Sequence, residues 1–260
     1  MPTIPEYIAS WRNKEISGTL LMRLLISHAK WILPVSESAA AEMLETHAAS
    51  RLQSNRDPKG VNRLMIFSSP ETFTTYRQNS GQQAVEQHIL TTTGVWVFRL
   101  PLEGIDEIWI DPLTADDIFY SKAQFDLLRK MAAAIEVEQA LAALRQGTAP
   151  AGALKVVKDY PSYWVPVGVH GESMRLMLAP DDKERKLAAL FTSEETIAAF
   201  LPQVRAFAAP DQVVERIFKG ENLFPILMKM AIDGMVFNCG DGPVSPVAFA
   251  KGFAQIVSEA

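Results

Sequence analysis

The chain has 260 residues, 48% hydrophobic and 21% charged, a globular composition that excludes a disordered or low-complexity chain. A net charge of −5 argues against nucleic-acid binding, which needs a basic stripe to displace phosphate counterions, and the run KERK at 183–186 reads as a solvated approach to an element. The single cysteine, Cys239, excludes a disulfide framework and fits a reducing cytoplasm.

The first residues, MPTIPEYIASWRNKE, show neither a basic n-region nor an apolar h-region, so no secretory signal is expected. The run LLMRLLI at 20–26 is too short for a bilayer and contains Arg23. A cytoplasmic protein without a membrane association is the expectation. Residues 18–30 place Leu21, Leu24, Leu25 and His28 at helical spacing, and His28 ends the stripe as a boundary residue rather than a ligand.

WILPV at 31–35 predicts an edge strand, because Pro34 cannot donate to a ladder. Residues 36–53 are alanine-rich and predict a helix, and SNRDPKG at 54–60 a turn. LMIF at 64–67 reads as a buried strand. It hands over to a helix at Ser69 (N-cap), Pro70 (N1) and Glu71 (facing the positive helix end), with Phe73 and Tyr76 on one face.

GVWVFRLPL at 94–102 and IDEIWIDP at 105–112 predict strands, the second with Ile108 and Ile110 on one side and Trp109 on the other. Ser121 and Gln124 make a capping-box signal, and the chain then runs without breakers to Arg145, predicting a helix of about 24 residues closed by Gly147.

Beyond that helix the pattern starts again. YWVPV at 163–167 echoes WILPV, a hairpin is expected around Gly171, and FTSEETIAAF at 191–200 repeats FSSPETFTTY at 67–76, with seven of ten positions identical or close in kind. Ser193 is the expected cap, followed by Ile197 and Phe200. QVVERIFKG at 212–220 predicts a strand, NLFPILMKMA a helix with Pro225 in its first turn, and DGMVFNCGDGP a strand ending in a glycine-rich turn that no lysine turns into a phosphate cradle. VAFAKGFAQIV is the expected last helix, with Phe249 answering Phe125.

The architecture predicted is α+β: two tandem repeats, residues 1–133 and 134–260, each a small mixed sheet with flanking helices, joined by the long shared helix. The strand ending in PV, the FTSEE junction and the DGMVFN strand with its turn make each half resemble the N-terminal domain of the SseB family. The turn of that family is an asparagine–proline type. Here the turn motif reads Asn238, Cys239, Gly240 in the second half and Asp111-Pro112 in the first. The resemblance implies a bacterial binding module without carried-over catalytic residues, of a kind found near secretion and toxin–immunity loci.

No catalytic or metal motif stands out, and no cofactor is implied. Cys239 lacks an assigned base, His170 being the only histidine of its half. The local anomaly is acidic: residues 100–121 hold six carboxylates, Glu103, Asp106, Glu107, Asp111, Asp116 and Asp117, and no lysine or arginine. With Trp109 as anchor, this stretch is the candidate surface for a basic protein partner, a toxin or secreted effector. Helix capping by Asp116 and Asp117 and a turn held by Asp106 are the competing structural explanations. The functional expectation is a non-enzymatic protein-binding protein of immunity or secretion-accessory type. A small-molecule regulator using a cleft between the repeats and an enzyme are the alternatives, and the oligomeric state stays open.

Overall fold

Side-chain oxygens open the first helices. Thr3, Ser17, Ser69 and Thr93 each accept a backbone N–H three residues on, starting α1 (Ile4–Arg12), α2 (Gly18–Ser27), α3 (Pro70–Asn79) and α4 (Gly94–Arg99). The computed structural model describes residues 2–35, 54–81, 88–181, 183–207 and 212–260. Among them are nine α-helices and several small sheets, an α+β fold. The helix expected over 36–53 lies outside the described residues.

The chain divides into two compact units, Met1–Ala133 and Ala134–Ala260, and the boundary falls inside the helix α5 (Phe125–Gln146). In the first unit β1 (Trp31–Val35) pairs antiparallel with β4 (His88–Thr92). A second sheet has the order β2 (Ser54–Arg56), β3 (Asn62–Ile66), β5 (Glu107–Ile110), β6 (Ile118–Ser121), with β3 and β5 parallel. The parallel pair forces a crossover, and the chain makes it through α3, β4 and α4.

The second unit contains α6 (Ala153–Asp159) and the strands β7 (Tyr163–His170), β8 (Ser173–Leu176) and β11 (Gln212–Phe218), ordered β11-β7-β8. Its other sheet has the order β13 (Val247–Ala250), β12 (Gly234–Phe237), β10 (Leu187–Leu190), β9 (Leu178–Ala179), with β10 and β12 parallel. α7 (Glu194–Phe207) and α8 (Gly220–Lys229) make its crossover, and α9 (Gly252–Glu259) ends it.

The same hydrogen bonds recur in both units. Trp31 donates its indole N–H to Leu25 O (3.0 Å), and Tyr163 donates its hydroxyl to Val157 O (2.8 Å). Gly94 N donates to His28 O and Gly220 N to Tyr160 O, both at 2.8 Å. Asp106 accepts from Asn62 N–H (2.9 Å) as Asp233 accepts from Lys186 N–H (2.8 Å). Single bridges, Ile32 to Phe67 and Trp164 to Phe191, tie the two sheets of each unit.

The repeated junction has the expected capping chemistry. Ser69 Oγ accepts from Thr72 N–H while Thr72 Oγ1 accepts from Ser69 N–H, both at 3.2 Å; Ser193 and Thr196 do the same at 3.3 and 3.2 Å. Phe73, Tyr76, Ile197 and Phe200 are all buried.

Several elements differ from the sequence reading. β2 takes Ser54–Arg56 of the segment read as a turn, pairing with Asn62–Leu64 of β3. Residues 94–99 are helical: Thr93 caps Trp96 N–H, and Gly94, Val95, Val97 and Phe98 are buried on a turn too short to show a helical period. A Cβ on Gly94 would lie 2.4 Å from Ile26 O, so only glycine lets this helix start against the end of α2. Residues 247–250 form β13 rather than the start of the last helix, so Phe249 lies on a strand. Pro225 sits inside α8, which opens earlier, at Gly220.

Candidate functional site

Strand alternation sorts the first unit's four-stranded sheet into two faces. Leu64, Ile66, Ile108, Ile110 and Tyr120 point one way and are buried. Arg63, Met65, Glu107, Trp109 and Phe119 point the other way, and the register puts Met65 beside Trp109 and Trp109 beside Phe119. α3 covers one end of this face, where Phe73 and Tyr76 cluster with Met65, Phe67 and Ile32. At the other end Phe119 is 61% exposed.

The open end is a groove of about 570 Å³ lined by Trp11, Arg12, Arg63, Glu107, Trp109, Asp117, Ile118 and Phe119. A second hollow of about 270 Å³ lies on the other side of Arg63 and Trp109, against Arg56, Asp57, Tyr76 and Leu113.

Two arginines organise the charges. Arg63 Nε is 2.6 Å from Glu107 Oε2, its NH1 is 3.0 Å from Asp57 Oδ2, and its guanidinium stands 5.2 Å over the Trp109 ring. The hydrogen bond to Glu107 raises the Arg63 pKa further above its ordinary value. Burial works to raise the Asp57 carboxyl, but the N–H groups of Val61 and Lys59 and the Arg63 charge bring it below the usual range.

Arg12, in the last turn of α1, donates to Ala115 O and Asp117 O, each at 2.7 Å, with the Asp116 and Asp117 carboxylates at 3.7 and 3.9 Å. Trp109 Nε1 donates to Asp117 Oδ2 (3.2 Å), which fixes the indole across the strand. Three guanidinium groups, Arg12, Arg56 and Arg63, thus stand beside four carboxylates, Asp57, Glu107, Asp116 and Asp117, a negative surplus of one.

Of the acidic residues singled out by sequence, Glu107 and Asp117 line this groove with Trp109, and Asp116 lies beside it at Arg12. Glu103 is exposed on the loop before β5. Asp106 is exposed, and its carboxylate pins Asn62 N–H, which is the turn-holding role weighed above. Asp111 is withdrawn from the binding set, because it is 0% exposed and both its oxygens are taken. Oδ1 accepts from Ser68 N–H (2.7 Å) and Oδ2 from Ser68 Oγ (2.5 Å). Burial raises its pKa, opposed by the Ser68 bonds.

Asn238 in the second unit has a geometry like that of Asp111 in the first. Asn238 Oδ1 accepts from Thr192 N–H (2.9 Å) and lies 3.1 Å from Thr192 Oγ1, and the two turn residues share a positive φ, 47° and 54°. In both units the next layer is an aromatic group at the Ser68 or Thr192 carbonyl: His28 Nε2 at 3.2 Å from Ser68 O, and Tyr160 donating its hydroxyl to Thr192 O. Glu138 Oε1 accepts from Thr192 Oγ1 (2.6 Å).

Cys239 is half-buried in the turn, and burial pushes its thiol up to about 12, so at neutral pH it is a protonated packing group. Gly240 completes the motif at φ 110°, against Phe200. Among the described residues no group of three or more His, Cys, Asp or Glu side chains is placed to hold a metal ion. No helix among them is long and apolar enough to cross a membrane.

The sequence reading missed Trp11, Arg12, Arg63 and Phe119. For Phe119 a signal existed: in a strand through IFYS, Phe119 and Tyr120 must face opposite sides, so one of the two aromatics had to point away from the core.

No protein-family model matches the chain, and no curated protein matches it. Among solved structures it is similar to Tic22 of Anabaena, a protein described with protein transport, at 10% identity and a TM-score of 0.21, over 83% of this chain and 88% of that one. It is also similar to Tic22 from Plasmodium falciparum, at 10% identity and a TM-score of 0.18, over 81% of this chain and 86% of that one.

Proposed function

We propose that this chain is a non-enzymatic protein-binding protein, of immunity or secretion-accessory type, that occludes a basic partner protein with the open face of its first sheet. The two units are read as duplicated SseB-like modules, of which the first has become the binding unit. One observation carries the reading: Phe119, 61% exposed, continues the row of Trp109 across a groove where Glu107 and Asp117 stand against Arg12 and Arg63, next to a stretch, residues 100–121, that has six carboxylates and no lysine or arginine. Aromatic anchors ringed by charge are the residue types that dominate protein interfaces, and a negative rim steers a positive partner.

The titratable side chains support binding over catalysis. The most buried ones among the described residues, Asp111, Tyr163, Tyr76 and Tyr120, lie in the core, and the carboxylates at the groove are held by arginines and an indole N–H. The test is an isothermal titration of the full chain with the proteins encoded on either side of its own gene. A saturable complex with one of them, weakening as salt rises, is expected. Absence of a complex with both would overturn the immunity or accessory assignment.

A further inference from the structure

We infer that the open face of the first sheet receives one amphipathic helix of the partner, apolar on the side it buries and carrying lysine or arginine along its flanks. This rests on the protein-binding reading above and deepens it. The observation behind it is an asymmetry between positions that the strand register makes equivalent. Arg63, Met65, Trp109 and Phe119 in the first unit correspond to Leu187, Ala189, Val236 and Ala248 in the second.

In the second unit those residues are covered by the unit's own helix. Ile197, Phe200 and Leu201 of α7 pack on Leu187, Ala189 and Val236, with Ala248 at the margin. Among the described residues of the first unit, α3 covers the Met65 end and stops at Asn79, and Trp11 and Arg12 of α1 border the other end, whereas in the second unit α7 runs on to Phe207. Where α7 presents Leu201 to the sheet, α3 has Arg77, which turns over the Phe73 ring at 5.9 Å. One copy of the face is therefore small, apolar and covered by a helix. The other bears larger side chains, and among the described residues its end at half-buried Trp109 and exposed Phe119 has no such helix.

The fold thus shows in its second unit which kind of element fits this surface: a helix laid across parallel strands. The groove of about 570 Å³ takes anchor side chains from one helix face, presented at i, i+3, i+4 and i+7. Charge decides the flanks. Asp57, Glu107, Asp116 and Asp117 outnumber Arg12, Arg56 and Arg63 by one, and residues 100–121 add no lysine or arginine. A helix with acidic flanks meets repulsion there, and one with basic flanks meets compensation.

The experiment selects from two displayed peptide libraries against the immobilised full chain. Both carry apolar residues at i, i+3, i+4 and i+7 over about four turns and vary the remaining positions among charged and polar residues. The second library has a central proline that blocks helix formation. The expected result is enrichment from the first library alone, with lysine and arginine selected over aspartate and glutamate. Binding of the selected peptides should weaken about tenfold or more in Phe119→Ala and Phe119→Ser, and be unchanged in Ile217→Ala, an exposed position of the second unit.

Failure to enrich, equal enrichment from the proline library, acidic selected peptides, or indifference to both Phe119 variants would each overturn the inference. Phe119 is exposed enough for both variants to fold, which an unchanged melting temperature verifies. If a flanking gene product binds but ignores Phe119, protein binding stands and the helix inference fails. If the peptides behave as expected and no flanking gene product binds, the inference stands and the accessory assignment fails.

Discussion

Replacing Asp111 by alanine and by asparagine should separate the two tasks of this buried side chain. Alanine removes both acceptors and leaves the Ser68 N–H and hydroxyl, now bonded at 2.7 and 2.5 Å, without partners in a site that is 0% exposed. Each orphaned buried group costs about 1–3 kcal/mol, and removal of a buried charge offsets part of that, so a loss of about 2–4 kcal/mol is expected. Asparagine keeps Oδ1 for the Ser68 N–H, and Ser68 Oγ can turn to accept from the new amide. Asn238 holds the Thr192 N–H in the same way in the second unit, where Glu138 takes the hydroxyl proton, so the Asn variant should lie within about 1 kcal/mol of the parent at pH 7.

The pH dependence adds a second readout. Burial raises the Asp111 pKa above its unfolded value, so between the two values the folded state holds the extra proton. The relief from protonation is fully present below the unfolded value of about 3.9 and is lost as pH rises through the folded pKa. Stability of Asp111→Asn relative to the parent should therefore increase from about pH 4 toward neutrality. Urea unfolding across that range, with hydrogen exchange of peptides covering residues 62–70 and 105–115 to locate the change, measures it. A difference that is flat in pH, or an alanine variant no worse than asparagine, would refute the reasoning.

Other outcomes follow from the same contacts. Gly94→Ala and Gly220→Ala should each cost more than about 2 kcal/mol, because the added Cβ would lie 2.4 Å from Ile26 O or from Lys158 O; thermal melts check this. Cys239 should resist a thiol-specific reagent in the folded protein at pH 8, where a group at about 12 is almost wholly protonated, and react at once in denaturant. Arg12→Ala should cost about 1 kcal/mol or less overall yet raise the exchange rate of amides at 115–118, since its two carbonyl bonds at 2.7 Å hold that loop to α1.

Local chemistry was legible wherever it was dense. The Ser69 and Ser193 junctions announced themselves by cap, proline or acid, and spaced aromatics, and the structure has the caps as read. The Trp109 strand followed from alternation. Six residues of α4 did not, because Val95, Trp96, Val97 and Phe98 are strand formers overruled by a capping Thr93 and by the close approach that Gly94 permits. α1 was overlooked although Thr3 and Glu6 form a capping box, with Glu6 accepting from Thr3 N–H. The groove was half legible. Its acids cluster in sequence, but Trp11, Arg12 and Arg63 come from distant segments, and Asp111 looked like its neighbours until burial set it apart.

The crossover between β3 and β5 also governs how the chain is born. Asn62 waits for Asp106, Ser68 for Asp111, and Trp31 for Thr92 before any of these pairs can close. During synthesis from the N-terminus, Trp31, Phe67, Phe73 and Tyr76 emerge long before β5 and β6 exist to complete their unit. Residues up to 121 must leave the ribosome first, and in that interval these aromatics are the segment most open to chaperones or to association between nascent chains.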